Sequence, residues 1–363
     1  MMKLFAAATL ALGVATTAAG AQTLDQMAGQ MIMVGFEGAT VDAADTRLMR
    51  DLIEAGTIGG VMYLRRNVQS LDEVAAMNRA FAAAGPGLPP LIALDQEGGR
   101  INRLGEAVGF GQIPSAEALG AGTPADAEAI YADLARRLTA LGFNVNFGPV
   151  VDLDLNPDNP IIGGLERSFG TDPAAVAAFG AAFVNGHHAA GMLTALKHFP
   201  GHGSSLGDTH EGFVDVTEVW QPQELEPYRI LIRGGLADMV MAAHIYNADY
   251  AGDDAVQLPA SLSAQWIGGV LRTELGFRGV VISDDLGMGA VQDLFDLRET
   301  VIRGVMAGSD ILLFANFENY RPGLAAEVHA ILMAEAARDP AFAARIAESY
   351  GRIAALKARL AGG

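Results

Sequence analysis

Short apolar runs bounded by Gly, Pro or Asp recur along the chain, and longer Ala-rich stretches with apolar residues at helical spacing separate them. Eight runs read as strands: Met31 to Phe36, Gly59 to Leu64, Leu91 to Leu94, Asn144 to Val151, Leu193 to Leu196, Asp238 to Ala243, Gly279 to Ser283 and Asp310 to Phe314. Helices are expected over Ala43 to Ala55, Leu71 to Ala84, Pro124 to Leu141, Asp172 to Ala190, Gln223 to Gly234, Ser263 to Leu275, Ala290 to Ala307 and from Leu324 onward. Strands that are apolar throughout must be covered on both faces, so the alternation predicts a parallel sheet in an α/β fold. Eight such units suggest a single (β/α)8 TIM-type barrel. A doubly wound open sheet is the alternative, but no Gly-x-Gly-x-x-Gly turn follows the first strand.

Polar residues break this pattern where the strands end: Asp95, Asp152, Lys197-His198, His244, Asp284 and Asn316. The C-terminal face of such a barrel carries the active site. Asp152 taken singly reads as a cap for the next helix; several polar residues on one rim do not.

Three segments carry candidate chemistry. Lys197 to His210 leaves a buried strand and becomes a Gly- and Ser-rich loop, on which Asp208 could fix the tautomer of His210 and stabilise its protonated form. His202 reads as a buried hydrogen-bonding residue shaping that loop. Val280 to Met288 delivers two adjacent acids, Asp284 and Asp285; one would face the barrel axis and the other cap the next helix or brace its neighbour. A carboxylate in that place can attack an anomeric carbon. Ala93 to Arg103 puts a carboxylate, Asp95, with an amide, paired glycines and two arginines at one strand end, an inventory suited to sugar hydroxyls. His198, His202, Asp208 and His210 crowd one stretch, but Lys197 beside them and the absence of His-x-His or His-Glu-x-x-His spacing argue against a metal. No metal or cofactor is expected.

The composition narrows the picture. Lys3, the apolar run Leu4 to Val14 and Ala19-Gly20-Ala21 read as a signal peptide over residues 1–21, cleaved before Gln22; residues 22–363 would form one catalytic barrel in a periplasmic or secreted protein. The run falls short of the roughly 20 residues that span a bilayer, so no stable membrane insertion is expected. The chain has no cysteine, which excludes disulfides and thiolate chemistry. Its formal net charge is −18, becoming −19 once Lys3 is lost, which disfavours nucleic acid as a partner.

Taken in order, Leu94-Asp95-Gln96-Glu97-Gly98-Gly99-Arg100, Asn146 to Asp152, Arg167-Ser168-Phe169-Gly170, Lys197 to Gly203, Asp208-Thr209-His210 and Ser283-Asp284-Asp285-Leu286 resemble the single-barrel bacterial β-N-acetylglucosaminidases of glycoside hydrolase family 3. The resemblance runs from about Leu24 to the last strand. It implies a retaining β-N-acetylhexosaminidase acting on amino-sugar oligosaccharides derived from peptidoglycan or chitin. By the same resemblance Asp284 is the nucleophile and His210 the acid/base with Asp208 as its partner, while Asp95, Arg103, Arg167, Lys197 and His198 hold the terminal sugar. Thr209 stands where Ser is more usual, and Asn102-Arg103-Leu104 replaces a commoner Gln-Arg-Phe. A phosphorylase, a β-glucosidase and a non-catalytic sugar-binding protein are the alternatives; the last would be expected to lack Asp284 or His210.

Overall fold

The computed structural model describes residues 22–85, 87–252, 256–317 and 319–360, so the expected signal peptide lies outside the described residues. Eight parallel strands form one sheet: β1 (Ile32–Gly35), β2 (Gly60–Tyr63), β3 (Leu91–Leu94), β4 (Val145–Asn146), β5 (Leu193–Phe199), β6 (Met239–Ala242), β7 (Val280–Ser283) and β8 (Leu312–Phe314). Each pairs with the next from β1 to β7, and β8 pairs with β1. A parallel bridge between Ile282 and Ile311 joins β7 to β8 and closes the ring. Every residue of these strands is buried, as a sheet packed inside and outside requires. The chain is a (β/α)8 barrel.

The β7–β8 seam is partly built from side chains. Ser283 N donates to Ile311 O, Ser283 Oγ accepts from Leu313 N at 3.0 Å, and Asp285 Oδ1 accepts from Ala315 N at 2.8 Å.

Most expected elements are present, with differences that have local causes. The fourth strand shrinks to two residues because Pro149 has no N–H to offer a ladder; beyond it only Val150 bridges to Lys197. β5 extends three residues beyond its expected end and carries Lys197 and His198 to the rim. The expected helix from Ala290 to Ala307 is two helices, Gly289–Gln292 and Leu297–Ala307, because Asp296 caps the second by accepting from Glu299 N. The C-terminal stretch divides likewise at Asp339-Pro340 into Leu324–Ala336 and Pro340–Ala358. Gln265–Glu274 winds as a π-helix, and Leu24–Gln30 is a helix that strand-and-helix periodicity did not single out. Among the described residues no helix is long and apolar enough to cross a membrane.

The end of the barrel opposite the rim is closed by charge. Asp310, fully buried, accepts from Arg272 at 2.7 Å, Arg352 at 2.9 Å and Ser349 Oγ at 2.8 Å. Lys357, also fully buried, donates to Gln30 Oε1 and to Gly59 O, both at 2.6 Å.

Candidate active site

The eight residues singled out from sequence, Asp95, Arg103, Arg167, Lys197, His198, Asp208, His210 and Asp284, all line one cavity of about 420 Å³ at the C-terminal end of the barrel. They come from the ends of β3, β5 and β7 and from the loops that follow β3, β4 and β5, as expected of a site on this fold.

One wall is a buried ion network. Lys197, only 2% exposed, donates to Asp95 Oδ1 at 2.7 Å and contacts Glu97 Oε1 at 2.6 Å. Arg103 reaches Asp95 Oδ2 at 2.7 Å, and Arg167 grips both oxygens of Glu97 at 2.8 Å. Burial alone would raise the Asp95 and Glu97 pKa values, but Lys197 with Arg103 and Arg167 with Lys197 overcome it, and both carboxyls lie below their usual range. Three cations surround two anions there, each carboxylate oxygen keeping acceptor capacity for a hydroxyl. Glu97 was not assigned from sequence although it lies in the same motif as Asp95; its only signal was being two residues further along.

Asp152 is not the helix cap that its strand-end position suggested. It is buried and accepts from His198 Nδ1 at 2.7 Å, from His198 N, and from His202 N at 2.9 Å. Arg167 Nη2, which can only donate, lies 3.2 Å from His198 Nε2. That pair of contacts calls for the His198 tautomer with its proton on Nδ1.

Asp284 N donates to Ala242 O, which fixes its place beside β6, and its Oδ1 accepts from Asp285 N at 2.8 Å. Burial pushes the Asp284 carboxyl up, yet His198, His244, His210 and the Asp285 N–H outweigh it and hold it below the usual carboxylate range, ionised at neutral pH. Asp285 differs. Burial raises its pKa to about 6, opposed only in part by the Ala315 and Gly287 N–H groups that its Oδ1 accepts. His244, whose ring burial keeps its pKa low, bridges Ser261 Oγ and Asp285 O.

The loop after β5 is anchored at both ends and exposed at its tip. At its start Asn159 Nδ2 donates to His202 O at 2.8 Å and Asn156 Nδ2 to Ser205 O at 2.7 Å. A Cβ on Gly203 would lie 1.6 Å from Leu153 O, so only glycine lets the two backbones meet. Buried Glu224 accepts from Ser204 Oγ at 2.6 Å and from Gly203 N at 3.1 Å; burial raises its pKa to about 7. His202 is buried, pairs with Ser205 Oγ at 2.9 Å, and has its pKa lowered by burial to about 4, which agrees with the structural role expected of it. At the far end Val214–Asp215 pairs with Ile245–Tyr246. Between them Leu206 is 74% exposed and the His210 side chain 63%. His210 Nδ1 lies 2.7 Å from Asp208 Oδ1, leaving Nε2 without a partner among the described residues. Also among the described residues, no three His, Asp or Glu side chains converge as a metal-ligating group.

The arrangement combines an ionised carboxylate, an imidazole oriented by a second carboxylate, and a polar buried wall, the parts needed for acid/base-assisted attack on an anomeric carbon. Comparison with known proteins gives the family. The family model described as "Glycosyl hydrolase family 3 N terminal domain" matches residues 23–351. The chain is 38% identical over 306 residues to a beta-hexosaminidase of Xylella fastidiosa (strain M23), covering 82% of this chain and 86% of that one. It is also 38% identical to a beta-hexosaminidase of Stenotrophomonas maltophilia (strain R551-3), over 79% of this chain and 84% of the relative. Among solved structures it resembles a glycoside hydrolase family 3 beta-N-acetylglucosaminidase from Paenibacillus sp. str. FPU-7, with a TM-score of 0.83 and 36% identity, covering 94% of this chain but 63% of the other. A beta-N-acetylhexosaminidase from Beutenbergia cavernae DSM 12333 gives a TM-score of 0.81 and 32% identity, covering 93% of this chain and 99% of that one. The chain belongs to glycosyl hydrolase family 3 and is a glycoside hydrolase built on that family's N-terminal barrel.

Proposed function

We propose that the protein is an exo-acting, retaining β-N-acetylhexosaminidase that removes terminal β-N-acetylglucosamine from peptidoglycan- or chitin-derived saccharides. One observation carries the reading: the Asp284 carboxylate and the Asp208–His210 pair face one cavity whose opposite wall is the Asp95–Lys197–Arg167 network. That buried network supports exo action, because it blunts the cavity behind a single terminal sugar. The preference for an N-acetylated sugar is supported by the solved relatives named beta-N-acetylglucosaminidase and beta-N-acetylhexosaminidase.

In the first step an Asp284 oxygen bonds to the anomeric carbon as the C–O bond to the leaving group breaks, and His210 Nε2 gives its proton to the departing oxygen. The ester to Asp284 is then hydrolysed: His210 takes a proton from water, the water oxygen bonds to the anomeric carbon, and Asp284 is released.

Assaying aryl N-acetylglucosaminide and aryl glucoside, each with and without phosphate, tests the reading. Hydrolysis of the N-acetylglucosaminide without need of phosphate is expected; preference for the glucoside, or turnover that requires phosphate, would replace it with a β-glucosidase or a phosphorylase, and no turnover of either with a sugar-binding protein. A His210→Ala variant refines the test. A sugar alkoxide needs its proton and an activated phenolate hardly does, so disaccharides should lose about 10²–10⁴-fold and activated aryl glycosides far less at the glycosylation step. Equal losses on both would mean that His210 positions the loop instead of moving a proton.

A further inference from the structure

β4 ends at Asn146, opposite Leu94 of β3, and Gln96, just beyond Leu94, pairs instead with a side chain. Asn146 Oδ1 accepts from Gln96 N at 2.9 Å, and Asn146 Nδ2 donates to Gln96 O at 3.0 Å. One amide thus makes both bonds that a neighbouring strand would have made. Its remaining hydrogen meets His187, on the outer helix Pro173–His188, whose Nε2 lies 3.0 Å from Asn146 Nδ2 and whose Nδ1 lies 2.8 Å from Phe183 O. A carbonyl only accepts, so the ring proton is on Nδ1 and Nε2 accepts from Asn146.

This pattern has no second solution. Turning the amide over would set Asn146 Oδ1 against Gln96 O and its NH2 against Gln96 N–H, two repulsions in place of two bonds. Gln96, Asn146 and His187 are fully buried, so bulk water cannot replace a lost partner. Burial lowers the His187 pKa to about 4, which keeps the ring neutral and Nε2 able to accept at neutral pH. Without that acceptor the Asn146 amide would either leave an N–H unpaired or turn to find another, and it cannot turn without letting Gln96 go. Gln96 is in turn bonded to the returning chain: its Oε1 accepts from Arg103 N at 2.9 Å and from Leu104 N at 3.0 Å, and its Nε2 donates to Leu104 O at 2.8 Å. On either side of it Asp95 and Glu97 line the active-site cavity, as alternation along an extended segment requires.

We infer that His187, Asn146 and Gln96 form a buried positioning relay for the sugar-holding wall: His187 takes the second hydrogen of the Asn146 amide, Asn146 clamps the Gln96 backbone, and Gln96 sets the spacing of Asp95, Glu97 and Arg103. None of the three lines the cavity. The relay acts through residues that do, and reaches the wall from a helix on the outside of the barrel. The inference rests on the reading that this wall holds the terminal sugar, so its test separates the two.

His187→Phe keeps a ring to stack on Phe183, whose centroid lies 4.0 Å away, and removes the acceptor; His187→Gln can return one through Oε1. In His187→Phe the KM for an aryl N-acetylglucosaminide and the inhibition constant of N-acetylglucosamine should both rise about fivefold or more with kcat within about twofold, because the wall grips the sugar alike before and during bond breaking. His187→Gln should recover most of the loss. A loss confined to kcat would overturn the relay, and so would an unchanged inhibition constant or equal impairment of the two variants, since only the packing of the ring would then matter. Gln96→Met, similar in length and without the polar atoms, enters the relay at its other end and should show the same split; a fall in kcat alone would count against it. Nuclear magnetic resonance reads the relay without any ligand. Wild-type His187 should carry its proton on Nδ1, and the Arg103 and Leu104 amide signals should move in His187→Phe and return in His187→Gln. A proton on Nε2, or unmoved amide signals, would overturn the relay. Wild-type protein that neither binds nor cleaves an N-acetylglucosaminide, with those signals still moving, would sink the functional reading and leave the relay standing.

Discussion

Asp284 lies between two residues with a mechanical job in common. Side chains alternate along a strand, so Ser283 and Asp285 turn to the same side, where Ser283 Oγ takes Leu313 N and Asp285 Oδ1 takes Ala315 N and Gly287 N. Asp284 is thereby left to the cavity. Asp284→Asn should abolish turnover with the melting temperature little changed, because the pocket survives without its proposed nucleophile. Asp285→Ala should do the reverse in part: the part-buried N–H groups of Ala315 and Gly287 lose their acceptor, at up to about 1–3 kcal/mol each, so the melting temperature falls while measurable turnover remains. Thermal melts and initial rates on both variants check this; a dead Asp285→Asn enzyme beside an active Asp284→Asn one would exchange the roles. The sequence presented two adjacent acids, one to face the axis and one to brace, and only the resemblance chose between them. What distinguishes them in space is β8, which arrives some 30 residues later.

At the scale of elements the loop after β5 shows what periodicity can and cannot convey. Its Gly and Ser content announced a loop, and the Asp208-x-His210 spacing announced the pair. Its anchor on Glu224 was invisible, since Glu224 lies in an otherwise ordinary helical stretch and meets Ser204 only through the fold. Glu224→Ala should loosen the loop base and lower kcat/KM about tenfold more for disaccharides than for activated aryl glycosides, because a displaced His210 costs most where its proton is needed. A uniform loss would mean general destabilisation; partial recovery in Glu224→Gln would support positioning. The sign of the pH effect is fixed by the raised pKa of about 7. Between about 4.5 and 7 the folded protein keeps a proton that the unfolded chain has lost, so the contribution of Glu224 to stability is full below that window and is lost as pH rises through it. Glu224→Gln should remove that slope from the unfolding free energy. Helix ends were legible where a cap is chemical, as at Thr123-Pro124 and Asp172-Pro173, and illegible where the interruption was a mid-run Asp such as Asp296.

The whole molecule divides its polar residues between two ends: the Asp95–Lys197–Arg167 network at the rim, and Asp310 with Lys357 closing the other. The barrel itself was readable from eight apolar runs, because each must be buried on both faces. The closure at the base was not, since Lys357 sits on the last helix and finds Gln30 and Gly59 at separations of 327 and 298 residues. Burial lowers the Lys357 pKa to about 7. Below that pH the lysine is charged in both states and its cost is fully felt. From about 7 to 10.5 the unfolded chain holds a proton that the fold does not, so stability gains with rising pH by at most about 1.4 kcal/mol per unit. Lys357→Met should lack that gain: denaturant titrations from pH 7 to 10 should show wild type improving relative to the variant, and parallel curves would contradict it.

The side-chain stitching of the β7–β8 seam has a consequence for synthesis. A polypeptide is made from its N-terminus, so Asp284 emerges before the strand whose N–H groups its two neighbours must accept. Until Leu313 and Ala315 are in place, Ser283 and Asp285 have nothing to hold, and the carboxylate between them has no fixed bearing on the cavity. A ribosome-bound or prematurely terminated chain would contain every residue of the ion network, the loop pair and the proposed nucleophile, and yet is expected to be inert. Activity in this molecule therefore reports that the last strand has arrived.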